Sequence, residues 1–366
     1  MEVKIITIFG ATGNQGGSVA RSLLKNPAFR VRGVTRNPTS DASKALSSQG
    51  AEMVKANGLD PEEMRAAFRG SWGVFLNINS DDKVGLQFAC CGENTRDLYY
   101  QIKIFTNPES PTEFDMGKII VDAAASEGVQ HFVFSSGAPC SELTNGKVAM
   151  KAMDMKYKTE QYIRSLGVFK SVLPLSPGWF LENFLSKEAA PIFGGFPHFP
   201  NDEGRLVFRT PYWGGKEDVP WLSISDDFGD IVQGALLNPE AWNGHFIHAL
   251  SNVRSFKELI EDFQEATERE ATWTPILPSW ERFETHGIHE LEDVKLMFGL
   301  TQVTGGKYFG ETTEIDTATK LKRATAVALE YPAEKHRLVT VKEWFAARFG
   351  DATLCKEDGT TPKPSV

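Results

Sequence analysis

The stretch that most constrains this chain lies at its start. Residues 3–9, Val-Lys-Ile-Ile-Thr-Ile-Phe, form a β-branched, nearly uncharged run that reads as a strand buried on both faces. Gly10, Ala11, Thr12, Gly13, Asn14, Gln15 and Gly16 follow and spell G-x-x-G-x-x-G. Behind them Val19, Ala20, Leu23 and Leu24 recur at helical spacing. Strand, glycine turn and helix is the context in which such a pattern holds a dinucleotide. Gly10 permits the tight turn, Gly13 lets a pyrophosphate approach the backbone, and Gly16 lets the helix sit close on the strand. The N–H groups at the helix start then face the phosphates, whose charge the helix dipole favours.

The second strand refines this. Residues 29–35 alternate and end in Arg36, Asn37 and Pro38, and no acid follows until Asp41. An NAD-binding chain carries Asp or Glu near this point for the ribose 2′-hydroxyl, about 20 residues past the fingerprint. A guanidinium suits a 2′-phosphate instead, so the pattern predicts NADP(H) over NAD.

Strands and helices alternate from there. The spacing predicts a helix over 42–49, a strand over 51–54, and a helix opened by Asp60 as cap and Pro61 at its first position. Strands over 73–76, 131–134 and 169–173 alternate with helices over 114–127 and 151–166. The fold class is α/β: a Rossmann-type doubly wound parallel sheet over 1–180, followed by a smaller mixed α+β C-terminal substrate subdomain over 181–355 and a flexible tail over 356–366. Asn77, Asn79, Ser135 and Ser136 fall at the carboxyl ends of strands, where the ligand crevice of such a sheet lies. On the 151–166 helix, Ala152, Met155, Thr159, Tyr162, Ile163 and Leu166 make an inward stripe with Lys156 at its edge. Residues 81–112 fit no regular element; they read as an insertion over the crevice or as a surface loop. In the second part, Ser225-Asp226-Asp227 caps a helix to 237, and further helices are expected over 255–267, 280–298 and 339–349. The aromatic-rich loops before Trp221 are expected to wall the interdomain cleft, where a small-molecule substrate would bind.

Composition removes other classes. A formal net charge of −9 opposes nucleic-acid binding, and no apolar run is long enough for a membrane span. The first strand begins so early that no signal peptide fits before it, and the four cysteines show no disulfide or metal spacing. These features predict a cytoplasmic protein, with the nucleus also open to it. Asp227-Phe228-Gly229 reads as a capped helix start, not as a kinase triplet, since no kinase lysine strand precedes it. The pairs His245/His248 and His286/His289 have no acidic third ligand at metal spacing, so no metal is expected.

With these residues in hand, the chain resembles the NmrA-like family, an atypical branch of the short-chain dehydrogenase/reductases. The resemblance is carried by the run from Gly10 to Val19, by Val34-Thr35-Arg36-Asn37-Pro38, by the helix through Lys156 to Tyr162, by Pro177 to Phe184, and by Val219-Pro220 with Ser225-Asp226-Asp227. It implies NADP along the first motif, Arg36 near the 2′-phosphate, and Asn57 near the adenine. It also implies Ile78 and Asn79 along the ribose-nicotinamide portion, Lys156 by the nicotinamide ribose, and Gly178, Trp179, Phe180 and Leu181 against the nicotinamide. Two positions depart from the pattern. Ala152 stands where ordinary reductases have the tyrosine of Tyr-x-x-x-Lys, and Asp115 where some relatives carry a cofactor-side lysine.

Two functions follow. One is an NADP(H)-dependent oxidoreductase acting on a small hydrophobic or aromatic molecule, with Lys156 holding the ribose and relaying a proton and Ser135 as a second proton-bearing group. The other is a non-catalytic NADP sensor that signals through a regulatory protein partner, which the missing tyrosine favours.

Overall fold

The computed structural model describes residues 3–78, 111–276, 279–285, 287 and 289–350. Asn79, nearly all of the 81–112 insertion, Cys90, Cys91, Cys355 and the 356–366 tail lie outside the described residues.

The chain begins as β1 (Lys4–Phe9), α1 (Asn14–Leu23), β2 (Phe29–Thr35), α2 (Asp41–Ser48), β3 (Glu52–Lys55), α3 (Pro61–Phe68) and β4 (Gly73–Leu76). After the insertion come α4 (Glu113–Ser126), β5 (His131–Ser135), the single turn α5 (Cys140–Leu143), α6 (Lys151–Leu166) and β6 (Ser171–Pro177). These strands form one parallel sheet in the order β3-β2-β1-β4-β5-β6, with a seventh strand, β10 (Ile247–Ala249), parallel to β6. The order reverses between β1 and β4, and a ligand crevice opens beyond the strand ends at such a reversal.

Alternation along the strands explains the layers. Ile6, Ile8, Phe75, Val133 and Leu173 point to one face and pack with Val19, Ala20 and Leu23 of α1 and Leu46 of α2. Phe9, Val74, Leu76, Phe132 and Phe134 point to the other and pack with Phe68 of α3, Ile120 and Val121 of α4, and Ile163 of α6. Both faces are covered, as a parallel sheet requires.

The later part adds β7 (Trp179–Phe180), β8 (Leu206–Thr210), β9 (Val219–Leu222), α7 (Gly229–Leu237), β11 (Asn252–Arg254), α8 (Phe256–Thr267), β12 (Ala271–Pro275), α9 (His289–Thr304), α10 (Asp316–Ala328) and α11 (Val341–Phe349). β7, β9 and β11 make a three-stranded sheet, and β8 pairs with β12. Among the described residues no helix is long and apolar enough to cross a membrane.

Several expectations are corrected. The sixth strand runs over 171–177, not 169–173, because β10 pairs with its far end at Leu175, Ser176 and Pro177. The cap near 225 is Ser223, which accepts the Asp226 N–H; a wide turn over Ile224–Phe228 precedes α7. Asp227 is buried in an ion pair with Lys322 at 3.0 Å. No helix fills 280–298: a short turn at Trp280–Arg282 is followed by Gly287 in left-handed conformation, and α9 begins after it. The buried face of α6 is Met153, Thr159, Glu160 and Ile163, so the inward stripe is rotated from the Ala152–Met155 edge. Of the aromatics in the loops before and at Trp221, Phe196, Phe208, Trp213 and Trp221 are fully buried in the core, whereas Phe180, Phe193 and Tyr212 are half-buried and Phe199 is exposed.

Candidate functional site

At the end of β1 the chain turns through Gly10, whose φ of +74° is the left-handed region that a side chain rarely adopts. Gly16 has a second reason to be glycine. A Cβ there would stand 2.2 Å from the Gly10 carbonyl oxygen, so α1 lies directly on the turn. Gly13 occupies the cap position of α1 without a side-chain cap bond, and the first turn holds no acid. The leading N–H groups are therefore left to a ligand, with no carboxylate to repel an anion. Gly13 and Asn14 are exposed, Thr12 and Gln15 half-buried, and Ala11 buried.

A cavity of about 600 Å³ opens beside this turn, lined by Gly10, Thr12, Arg36, Asn37, Ser40, Lys55, Asn57 and Met116 among others. The structure thus brings Arg36, Asn37 and Asn57 to one pocket. Asn57 starts a turn into α3, its Oδ1 accepting the Leu59 N–H at 3.1 Å. Asn37 does likewise before α2, accepting from the N–H of Thr39 at 3.1 Å. Lys55, at the end of β3, is a second cation on the pocket wall that strand periodicity alone does not single out.

On the other side of β1 the strand ends converge. A Cβ on Gly10 would lie 3.3 Å from the Asn77 carbonyl oxygen just past β4. Ser135, at the end of β5, donates from Oγ to Gln15 Oε1 at 2.8 Å, tying that strand to the glycine turn. Ser136 Oγ donates to Glu160 at 2.6 Å, and Glu160 pairs with Arg164 at 2.8 Å, so Ser136 belongs to a buried structural network. Lys156 donates from Nζ to the carbonyl oxygen of Ile78 and stands 2.5 Å from Oε1 of Glu113. Nothing local in the sequence marks Glu113, whose partner lies 43 positions away. No hydrogen bond joins Lys156 to Ser135.

The departures from the family pattern acquire physical reasons. Asp115 closes a capping box with Thr112, whose backbone N–H, then its hydroxyl, hold the carboxyl below its ordinary range. Ala152 is half-buried at the start of α6 and contributes no hydroxyl. Tyr162, further along α6, donates to Asp122, and that bond pushes its phenol up to about 12. Burial pushes the Cys140 thiol up, which leaves it unreactive. Among the described residues no cluster of three or more His, Cys, Asp or Glu could hold a metal ion.

The run after β6 is built mostly for packing. Gly178 donates its N–H to the Ala249 carbonyl at 2.8 Å, and a Cβ there would meet the Pro220 oxygen at 2.3 Å. Trp179 stacks on Trp221 at 4.9 Å, and Leu181 is fully buried. Of Gly178 to Leu181 only Phe180 is half-buried; the other three are buried. Glu182 accepts the N–H groups of Ile224 and Ser225 at 3.0 and 2.9 Å, which joins the Pro177–Phe184 run to the Ser225-Asp226-Asp227 turn.

The model of the NmrA-like family matches residues 2–331. The NmrA-like family domain-containing oxidoreductase lnaB of Aspergillus flavus is 60% identical over 349 residues, covering 95% of this chain and 98% of that protein. The corresponding oxidoreductase FrzB of Cladobotryum sp is 56% identical, covering 94% and 98%. Among solved structures, NmrA, a negative transcriptional regulator in complex with NADP, superposes with a TM-score of 0.68 at 18% identity, covering 95% of this chain and 96% of that one. The Citrobacter sp. triphenylmethane reductase complexed with NADP(H) gives 0.61 at 17% identity, covering 93% and 98%. At those identities the two solved structures speak for the fold. The family match and the two full-length relatives go further: this chain belongs to the NmrA-like family.

Proposed function

We propose that the chain is an NADP(H)-dependent oxidoreductase of a small organic molecule. The observation that carries this is the convergence, at the β1/β4 reversal, of an uncapped glycine-rich helix start, a pocket lined by Arg36, and a lysine held at the end of β4. The residues fit a dinucleotide on their own geometry. The Gly10–Gly16 approach leaves no room for a Cβ, and the leading amides of α1 suit a pyrophosphate. Arg36 and Lys55 suit a 2′-phosphate, and Asn57 the adenine edge.

Bound NADPH would supply the hydride. The proton is the task of this chain's own residues. With Ala152 in place of a tyrosine, the available donors are Lys156, a water that it orders, and Ser135. Lys156 also holds the ribose hydroxyls. Ser135 stiffens the glycine turn through Gln15 and is a second candidate to pass a proton. Phe180, next to Gly178 and Trp179, favours a hydrophobic or aromatic substrate.

The test follows NADPH absorbance with a panel of aromatic and enone substrates, comparing wild type, Lys156→Ala and Ser135→Ala. Substrate-dependent oxidation is expected, falling by about two to four powers of ten in Lys156→Ala. Full activity in that variant would overturn the assignment of Lys156. A wild type that binds NADPH tightly yet oxidises it with no substrate would favour the regulatory, partner-signalling reading.

A further inference from the structure

Lys156 has a buried partner. Glu113 is the first residue of α4, where a carboxylate would ordinarily stay in water and gain from the helix dipole. Here its side chain is 3% exposed, against 17% for that of Lys156. The capping box between Thr112 and Asp115 is complete without Glu113. α4 and α6 already meet through Gly117, whose added Cβ would lie 2.9 Å from Thr159, and through Phe114 edge-on to Tyr162 at 6.2 Å. A buried ion pair is a poor way to gain stability, because both charges lose their water.

What the pair does achieve is direction. An ammonium has three N–H donors. The Ile78 carbonyl and the Glu113 carboxylate hold two of them from two different elements, at the strand end beside the glycine turn. We infer that Glu113 is a positioning residue, which aims the third N–H of Lys156 at the ribose on the nicotinamide side of the cofactor. This rests on the role given to Lys156 above. Glu113 touches neither substrate nor cofactor in this account and acts only through the lysine.

The experiment compares wild type, Glu113→Gln, Glu113→Asp, Lys156→Met and the double variant Glu113→Gln/Lys156→Met. Binding is titrated with NADPH and with 2′,5′-ADP, which lacks the nicotinamide ribose, and melting temperature and steady-state kinetics are recorded alongside. Glu113→Gln should weaken NADPH by about three- to tenfold while leaving 2′,5′-ADP near its wild-type affinity. It should lower kcat by about ten- to a hundredfold with little change in the KM of the organic substrate. Glu113→Asp should recover part of both losses, and Glu113→Gln should add nothing in the Lys156→Met background. Equal weakening of both ligands together with a lower melting temperature would make Glu113 merely structural and overturn the inference. So would unchanged NADPH binding and kcat in Glu113→Gln, even if Lys156→Met loses them, and in that case the function proposed above still stands. A wild type that binds no NADPH would overturn both.

Discussion

The glycine fingerprint shows how much one residue can settle. Its three glycines are equally visible in the sequence, but the structure separates their reasons. Gly16 answers a steric demand, with a Cβ placed 2.2 Å from a backbone oxygen, whereas a Cβ on Gly13 would meet that oxygen at an ordinary 3.4 Å. Gly16→Ala should therefore destabilise the fold by about 1–3 kcal/mol and weaken NADPH with it. Gly13→Ala should keep wild-type stability, since its Cβ meets nothing closer than the Gly10 oxygen, and lose affinity alone if the pyrophosphate approaches the backbone there. Denaturant melts paired with NADPH fluorescence titrations check both; the reverse pattern would mean that the turn is misread. Arg36 is singled out by its offset from the fingerprint, and Lys156 by the family resemblance along one helix. Glu113 and Lys55 were not, since what makes them matter is which strand ends the sheet brings together.

At the scale of elements, legibility followed the strength of the local apolar pattern. The first six strands and the helices between them carry that pattern, and they appear nearly where expected. α10 has no counterpart among the expected helices: its buried positions, Ala318, Leu321, Lys322, Thr325 and Ala326, recur at helical spacing, but two of the five are polar. Its lysine is a tertiary feature. Lys322 lies 3.0 Å from Asp227 and 2.8 Å from Asp230, and Asp230 also accepts from Ser22 of α1 at 2.6 Å. This cluster pins α10 and α7 to the cofactor-side helix. Burial opposes the charge on Lys322, but the two carboxylates outweigh it and lift its pKa, while burial pushes the Asp227 carboxyl up. Lys322→Met leaves two carboxylates buried side by side and should cost about 3–5 kcal/mol. A urea melt that moves by less than about 1 kcal/mol would show that the cluster relaxes into water instead.

Over the whole molecule, the later half does not simply follow the first. β10 adds the seventh strand to the main sheet, α7 covers the helix that starts at the glycine turn, and α10 packs on α7. A strand of three residues far along the chain gives no sequence sign of which edge it will join, so the sheet's full width was not legible, although its order from β3 to β6 was. Around the reversal point the molecule sets an uncapped glycine-rich helix start, a crevice lined by Gly10 and Arg36 beside it, and the Lys156–Glu113 pair at the Ile78 carbonyl past β4. The central claim is that this crevice is an NADP(H) site, and calorimetric titration of wild type and Arg36→Ala with NADPH and NADH tests it most directly. A charge-assisted bond to the 2′-phosphate contributes about 1.5–3 kcal/mol. Wild type should therefore prefer NADPH by about ten- to a hundredfold, and Arg36→Ala should remove most of that preference while leaving NADH binding nearly unchanged. Equal affinity of wild type for the two cofactors, or no binding of either, would contradict the account.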